Sequence, residues 1–122
     1  MSADHIDRIL VIDGEILIAM EVAQILQDGF GCQTVAVSWS TFDDRCPDDS
    51  FDVIVMDCEY VPAEIVEALG RPPFDRAPLV FLTTGSQERN EALAAAIPVV
   101  EKPIFPSALL AAVRRVLVPH AA

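Results

Sequence analysis

Short runs of consecutive apolar residues alternate along the chain with segments in which apolar residues recur every three or four positions. The clearest run, at 53–56, is too short for a helix and rich in β-branched residues, which is typical of a parallel strand buried on both faces. Similar runs at 8–12, 33–37, 77–83 and 97–100 predict four more strands. The run at 33–37 is the least apolar, so we expect it to form an edge strand.

Helical spacing of apolar residues predicts a first helix over 15–28 and a last helix over Pro106–Leu117. The two glycines Gly29 and Gly31 are expected to end the first helix. Its apolar stripe is predicted to include Ile16, Met20, Ala23 and either Leu26 or Gln27, widened by Ile18, Val22 and Ile25. The last helix is predicted to present Leu109, Ala112, Val113, Val116 and Leu117 on one face, with Arg114 and Arg115 near its carboxyl end.

Three further helices are predicted between the strands, and two of them are short. The segment 38–46 begins a helix that Pro47 stops early, and Trp39 is expected to pack this segment against the sheet. Residues 62–69 form barely two turns, and 86–96 form a longer helix capped by Ser86. Five strands that alternate with five helices predict a single α/β domain over 1–122, an open doubly wound sheet with helices on both faces.

Charge and composition narrow the classes of partner and the compartment. Only eight of the 122 residues are Lys or Arg and the net charge is -11, which argues against nucleic-acid binding. No apolar run approaches the length of a membrane span, and the amino terminus lacks the pattern of a signal peptide, so we expect a cytoplasmic protein. The three cysteines, Cys32, Cys46 and Cys58, lack metal-ligand spacing and are expected to be reduced thiols.

Polar residues lie at the carboxyl ends of four of the predicted strands: Asp13, Asp57, Thr83 and Lys102. The carboxyl ends of parallel strands meet at one edge of a sheet, where ligands bind, so these four side chains are expected to share a crevice. Two carboxylates that approach each other repel unless a cation lies between them, which predicts a Mg²⁺ site. Beside such an ion, Asp57 is suited to attack phosphorus as a nucleophile. For an isolated Asp57, capping of the next turn is the alternative interpretation.

Four segments carry a resemblance to a known family: Ile-Leu-Val-Ile-Asp13-Gly-Glu, Asp-Val-Ile-Val-Met-Asp57, Leu-Val-Phe-Leu-Thr83-Thr and Val-Val-Glu-Lys102-Pro103. In this order and over nearly the whole chain, they resemble the receiver domain of two-component response regulators. The resemblance implies a flavodoxin-like fold with strand order 2-1-3-4-5. It also implies that Asp57 is the phosphoacceptor, Thr83 the switch hydroxyl and Lys102 a phosphate-contacting lysine before a cis proline at Pro103. The family consists of signalling proteins, so we expect no enzyme.

The sequence departs from the family pattern at several positions. Gly14 stands where receivers usually carry a second, metal-ligating acid, so Mg²⁺ binding is expected to be weakened or absent. Glu59 lies where the family supplies a backbone carbonyl ligand, and we expect its side chain to replace the missing acid in part, beside Asp13 and Asp57. Thr84 is larger than the residue usual there, and Val99 replaces an aromatic residue that normally rotates on activation.

Two functions follow from the resemblance. The first is a single-domain response regulator that accepts a phosphoryl group on Asp57 from a histidine kinase or a phosphotransfer protein and acts through a downstream protein partner or as a homodimer. The alternative is a pseudo-receiver, a binding module that works without phosphorylation because of Gly14. A flavin or nucleotide binder is a distant third, because no glycine-rich loop follows the first strand.

Overall fold

The computed structural model describes residues 6–41, 51–57, 77–83 and 98–117. They contain a five-stranded parallel sheet with the order β2-β1-β3-β4-β5. The strands are β1 (Arg8–Asp13), β2 (Gln33–Ser38), β3 (Val53–Asp57), β4 (Leu79–Thr83) and β5 (Val99–Glu101). The predicted flavodoxin-like order and the position of β2 at an edge are both confirmed.

Two α-helices lie in the described residues, α1 (Ile16–Phe30) and α2 (Pro106–Leu117). The bounds of α2 are the predicted ones, and it ends with Arg114 and Arg115 in its last turn. Of the segment 38–46, the structure describes a short 3-10 turn, Trp39–Thr41. The predicted helices at 62–69 and 86–96 lie outside the described residues.

Side chains from β3 alternate between two hydrophobic clusters, one on each face of the sheet. Val53 and Val55 point into the first cluster, which α1 and α2 cover with Leu26 and Leu109 among others. Ile54 and Met56 point into the second cluster. This second cluster consists of Leu10, Ile12, Val37, Phe51, Ile54, Met56 and Phe81. Burial on both faces explains why the strands appear in the sequence as unbroken apolar runs.

The face that α1 turns to the core differs in part from the predicted one. The buried residues of the helix are Ala19, Val22, Ala23 and Leu26. Ile16 is 42% exposed and Met20 is 55% exposed, so their assignment to the buried stripe is wrong. Apolar residues surround the amino-terminal half of α1, and spacing alone therefore did not identify the face that packs on the sheet.

The carboxyl end of α1 depends on one glycine. Gly31 adopts the left-handed conformation with φ 65°, and its N–H donates to the carbonyl of Gln27 at 2.8 Å, as in a helix C-cap. Gly29 lies inside the helix, so the prediction that it also ends α1 is wrong. Its role is close packing, because a Cβ at this position would lie 2.5 Å from a methyl group of Leu110 on α2.

In the part of the chain that the structure describes, neither helix has the length and apolar character needed to cross a membrane.

Candidate functional site

The carboxyl ends of the strands bring the predicted site residues to one edge of the sheet. Asp13 and Asp57 are the last residues of β1 and β3, and both are fully buried. Thr83 ends β4, one residue beyond the register partner of Asp57, and is also fully buried. Lys102 follows β5 directly. Parallel strands whose carboxyl ends lie nearly in register therefore place two acids, a hydroxyl and an amine along the same edge.

The ammonium group of Lys102 lies between the two carboxylates. Its Nζ is 2.9 Å from Oδ2 of Asp13 and 3.7 Å from Oδ1 of Asp57. The shorter distance is a close ion pair, the longer one is a looser ion pair, and Oδ2 of Asp13 has no hydrogen-bond partner among the described residues. The Lys102 side chain is only 13% exposed, so all three charges interact where water screens them weakly. One cation thus offsets the repulsion between two buried acids.

Backbone contacts hold Lys102 in this position. Its N–H donates to the carbonyl of Thr83 at 2.7 Å, which ties the end of β5 to the end of β4. The peptide bond between Lys102 and Pro103 is cis, as the family resemblance implies. The loop after β5 is therefore anchored to β4 at the point where the lysine side chain projects along the sheet edge.

The turn between β1 and α1 is organised by Asp13. Its Oδ1 accepts the N–H of Glu15 at 3.0 Å, the contact of an Asx turn, while Oδ2 faces Lys102. Both oxygens of Asp13 are therefore used, one for the loop and one for the site. Gly14 and Glu15 are exposed in this turn. Because glycine has no side chain, position 14 supplies no carboxylate at the edge where the family resemblance implies a second acid.

Trp39 makes a contact at the site that the sequence did not predict. Its indole Nε1–H donates to the backbone carbonyl of Asp57 at 3.1 Å. The ring is half-buried and packs against the second cluster, which agrees with the predicted packing role. Eighteen positions separate the two residues, and no local sequence signal links an indole to a strand end so far along the chain.

The donor chemistry at this edge fits a magnesium ion through two residues. Mg²⁺ prefers hard oxygen ligands and commonly uses one or two carboxylates together with water and phosphate oxygens. Asp13 and Asp57 supply such oxygens. Within the described ranges, no group of three or more His, Cys, Asp or Glu side chains is gathered in one place. Glu59 and Thr84, which the sequence also predicts at the site, lie outside the described residues.

Solved structures with this architecture are numerous. The chain is 21% identical to a signal receiver domain of a two-component histidine kinase from Clostridium thermocellum, with a TM-score of 0.72 over 92% of this chain and 98% of that one. It is 25% identical to the chemotaxis response regulator CheY4 of Vibrio cholerae, with a TM-score of 0.68 over 91% and 98%. This chain has the receiver-domain fold.

The receiver fold also occurs in a pilus assembly-related protein from Burkholderia pseudomallei, which is 20% identical with a TM-score of 0.63 over 96% of this chain and 92% of that one. No protein-family model and no curated protein matches the sequence. The similarity to the chemotaxis response regulator at 25% identity supports a receiver role in signalling.

Proposed function

We propose that the chain is a response regulator receiver that accepts a phosphoryl group on Asp57 and signals by protein–protein interaction. The observation that carries the proposal is the Asp57 carboxylate, buried at the end of β3 and 3.7 Å from a lysine ammonium that also contacts Asp13. Burying two acids and a cation together costs desolvation free energy, so a purely structural role accounts poorly for this arrangement. The same arrangement suits a carboxylate nucleophile whose product carries more negative charge.

The phosphoryl donor is a phosphohistidine of a histidine kinase or a phosphotransfer protein. A carboxylate oxygen of Asp57 attacks phosphorus as the phosphorus–nitrogen bond of the donor breaks. The electron pair of that bond stays on the imidazole nitrogen, which takes up a proton, and Asp57 becomes an acyl phosphate. Lys102 moves from the carboxylates to a phosphoryl oxygen, and the hydroxyl of Thr83 donates a hydrogen bond to another. The site therefore exchanges one set of charge contacts for another during transfer.

Asp13 and Asp57 would hold a magnesium ion at this edge, and the ion would supply positive charge opposite the developing phosphoryl charge. Its affinity is lower than in receivers with two adjacent acids, because Gly14 offers no carboxylate. We propose that the side chain of Glu59 replaces that acid in part. A Glu59→Ala variant is expected to bind Mg²⁺ more weakly than the wild type, as measured by titration of amide resonances near Asp57. Unchanged affinity would remove Glu59 from the ligand set.

An exposed apolar surface beside the site supports a role in protein binding. α1 begins three residues after Asp13, and its first turns expose Ile16, Leu17 and Met20 by 42%, 76% and 55%. Large apolar side chains exposed together are typical of protein-interaction surfaces. The phosphodonor or the downstream partner, a second copy of this chain included, is expected to contact this part of α1.

The alternative is a pseudo-receiver that binds its partner without phosphorylation. The contact between Lys102 and Asp13 favours it, because the ammonium already occupies a position where it neutralises the acids without a metal ion. Together with Gly14, this internal cation would make the acidic edge a stable binding surface instead of a reactive one.

Beryllofluoride, which mimics a phosphoryl group on aspartate, separates the two functions. We expect Mg²⁺ with beryllofluoride to shift the amide resonances near Asp57, and acetyl phosphate to add one phosphoryl group to the intact mass. The Asp57→Asn variant should show neither response. Asp52→Asn is the matched control, because Asp52 lies at the opposite end of β3, and it should respond like the wild type. Unmoved resonances in the wild type at millimolar reagent would favour the pseudo-receiver.

A further inference from the structure

The only tryptophan of the chain touches the residue on which the proposed function depends. Trp39 follows β2, while Asp57 ends β3, and β1 lies between these two strands in the sheet. The indole therefore reaches across the end of β1 to donate its N–H to the Asp57 carbonyl at 3.1 Å. This hydrogen bond links the residue after the edge strand β2 to Asp57 at the end of β3.

The position of the contact is set by where the strand pairing ends. The pairing between β1 and β3 runs as far as Ile12 and Met56. The N–H of Ile54 donates toward β4, to Pro78, so by strand alternation the peptide groups of Asp57 point toward β1. Asp57 lies one residue beyond the last pair on that side. The Trp39 indole thus supplies a donor to the Asp57 carbonyl just where the regular ladder with β1 stops.

The indole ring is held in place by the end of β2 and by its packing against the sheet. Ser38 is the register partner of Asp13, and the 3-10 turn Trp39–Thr41 follows it at once. The indole packs against the second cluster, to which Ile12 and Met56 belong. The indole therefore packs against residues of β1 and β3, the strands that carry Asp13 and Asp57.

We propose that Trp39 is a positioning residue for Asp57: its indole N–H fixes the backbone from which the nucleophilic carboxylate projects, and its fluorescence reports the state of that carboxylate. This inference rests on the proposed phosphoryl acceptance by Asp57. Displacements of about 1 Å at a reacting group cost on the order of a hundredfold in rate, so one backbone hydrogen bond at this point is consequential.

Two substitutions remove the N–H and retain an aromatic ring. Trp39→Phe keeps a smaller ring, and replacement of Trp39 by benzothienylalanine keeps the bicyclic shape with sulfur in place of the N–H. If the phenylalanine variant does not fold, the isosteric one still carries the test. Val35→Ala is the matched control, because Val35 packs against the same cluster from β2 but pairs with Leu10 in mid-strand.

The first measurement needs no ligand. The ¹³C shift of the Asp57 carbonyl and the relaxation of its side-chain carboxyl carbon are compared in all four proteins. Both Trp39 variants are expected to shift the carbonyl resonance and to increase the mobility of the carboxyl carbon, while Val35→Ala leaves both at wild-type values. Wild-type values in the Trp39 variants, or equal changes in Val35→Ala, would overturn the positioning role.

The second measurement is the affinity for beryllofluoride with Mg²⁺. The Trp39 variants are expected to bind it about fivefold more weakly, the factor that corresponds to about 1 kcal/mol. Wild-type tryptophan emission should change on binding, and unchanged emission despite bound beryllofluoride would contradict the reporter role. If the wild type does not bind beryllofluoride at all, the proposed function fails, and the ligand-free measurement still decides whether Trp39 positions Asp57.

Discussion

Asp52, the residue before β3, holds the start of β1 in place. Its Oδ2 accepts the N–H groups of Asp7 at 2.7 Å and Arg8 at 3.0 Å, and its own N–H donates to the carbonyl of Arg8 at 2.9 Å. We expect Asp52→Ala to lower the free energy of unfolding by about 2 kcal/mol, because two backbone donors lose a charged acceptor. Urea denaturation measures this loss.

The conservative variant Asp52→Asn provides the control for that prediction. Asparagine keeps one acceptor oxygen but loses the charge, so its loss of stability should be smaller than that of Asp52→Ala. Equal midpoints for Asp52→Ala and the wild type would mean that solvent satisfies the two amides equally well.

Cys32 is a half-buried thiol whose surroundings disfavour ionisation. Burial raises the pKa of Cys32, and the nearby Asp52 carboxylate raises it further, while a backbone hydrogen bond acts in the opposite direction. A raised pKa disfavours the thiolate, which is the nucleophile. In a variant that carries Cys46→Ser and Cys58→Ser, iodoacetamide is expected to alkylate Cys32 several times more slowly at pH 8 than it alkylates free cysteine.

The raised pKa of Cys32 makes the folded state less stable as the pH rises. The stability associated with the raised pKa is present below the pKa of the unfolded thiol, and it is lost as the pH rises through the higher pKa of the folded one. Addition of Asp52→Ala should move the alkylation profile toward lower pH, because it removes a negative charge near the sulfur. A profile identical to that of free cysteine would contradict this account.

Some residues of the site can be predicted from the sequence, and others cannot. Asp13, Asp57 and Lys102 were identifiable because each lies at or just beyond the carboxyl end of an apolar run, and the carboxyl ends of parallel strands share an edge. The contact from Trp39 was not identifiable, because it depends on how far a side chain reaches across β1. Strand patterns specify which residues lie at an edge, and they do not specify which side chains bridge it.

At the scale of elements, the packing of α1 against α2 depends on a glycine. A Cβ at Gly29 would lie 2.5 Å and 2.9 Å from the two methyl carbons of Leu110. Alanine is preferred over glycine in a helix by about 1 kcal/mol, and overpacking costs about 1–3 kcal/mol. Leu110 is half-buried and its methyl groups can move. In Gly29→Ala, the gain in helix propensity and the cost of overpacking are therefore expected to cancel almost completely, and the free energy of unfolding should change little.

A double-mutant cycle separates the two effects. In the Leu110→Ala background the clash is absent, and Gly29→Ala should raise the free energy of unfolding by about 1 kcal/mol through helix propensity alone. The expected coupling between the two positions is therefore positive and about 1 kcal/mol or more. Identical effects of Gly29→Ala in both backgrounds would show that Leu110 does not limit the approach of the helices.

The elements also explain where sequence-based boundaries differ from the structure. β3 begins at Val53, as the run at 53–56 predicts, whereas β4 begins at Leu79, two residues after the start of the predicted run at 77–83, because pairing with neighbours and not hydrophobicity decides where a strand starts. β5 extends to Glu101, an exposed residue that apolar patterning cannot include. The pattern predicted the existence and order of the strands, while tertiary pairing set their ends.

At the scale of the whole molecule, a lysine from the loop after β5 joins the ends of β1 and β3. Lys102 is the cation that both buried acids contact, and its N–H is bound to the end of β4. We expect Lys102→Met to lower the free energy of unfolding by about 3 kcal/mol, because two buried carboxylates would then face each other without that ammonium. Arg115→Met is the control, since Arg115 is exposed on α2 and its loss should cost little.

Magnesium links this stability to the proposed function. An ion that binds only the folded state stabilises it by an amount that grows with its concentration relative to the dissociation constant. In Lys102→Met the ammonium no longer competes for Asp13, so Mg²⁺ should raise the unfolding midpoint of this variant more than that of the wild type. Addition of Asp57→Asn should recover part of the lost stability and reduce the response to Mg²⁺. Equal responses of Lys102→Met and Arg115→Met, at ionic strength matched with NaCl, would mean that Lys102 and the metal ion do not share a site.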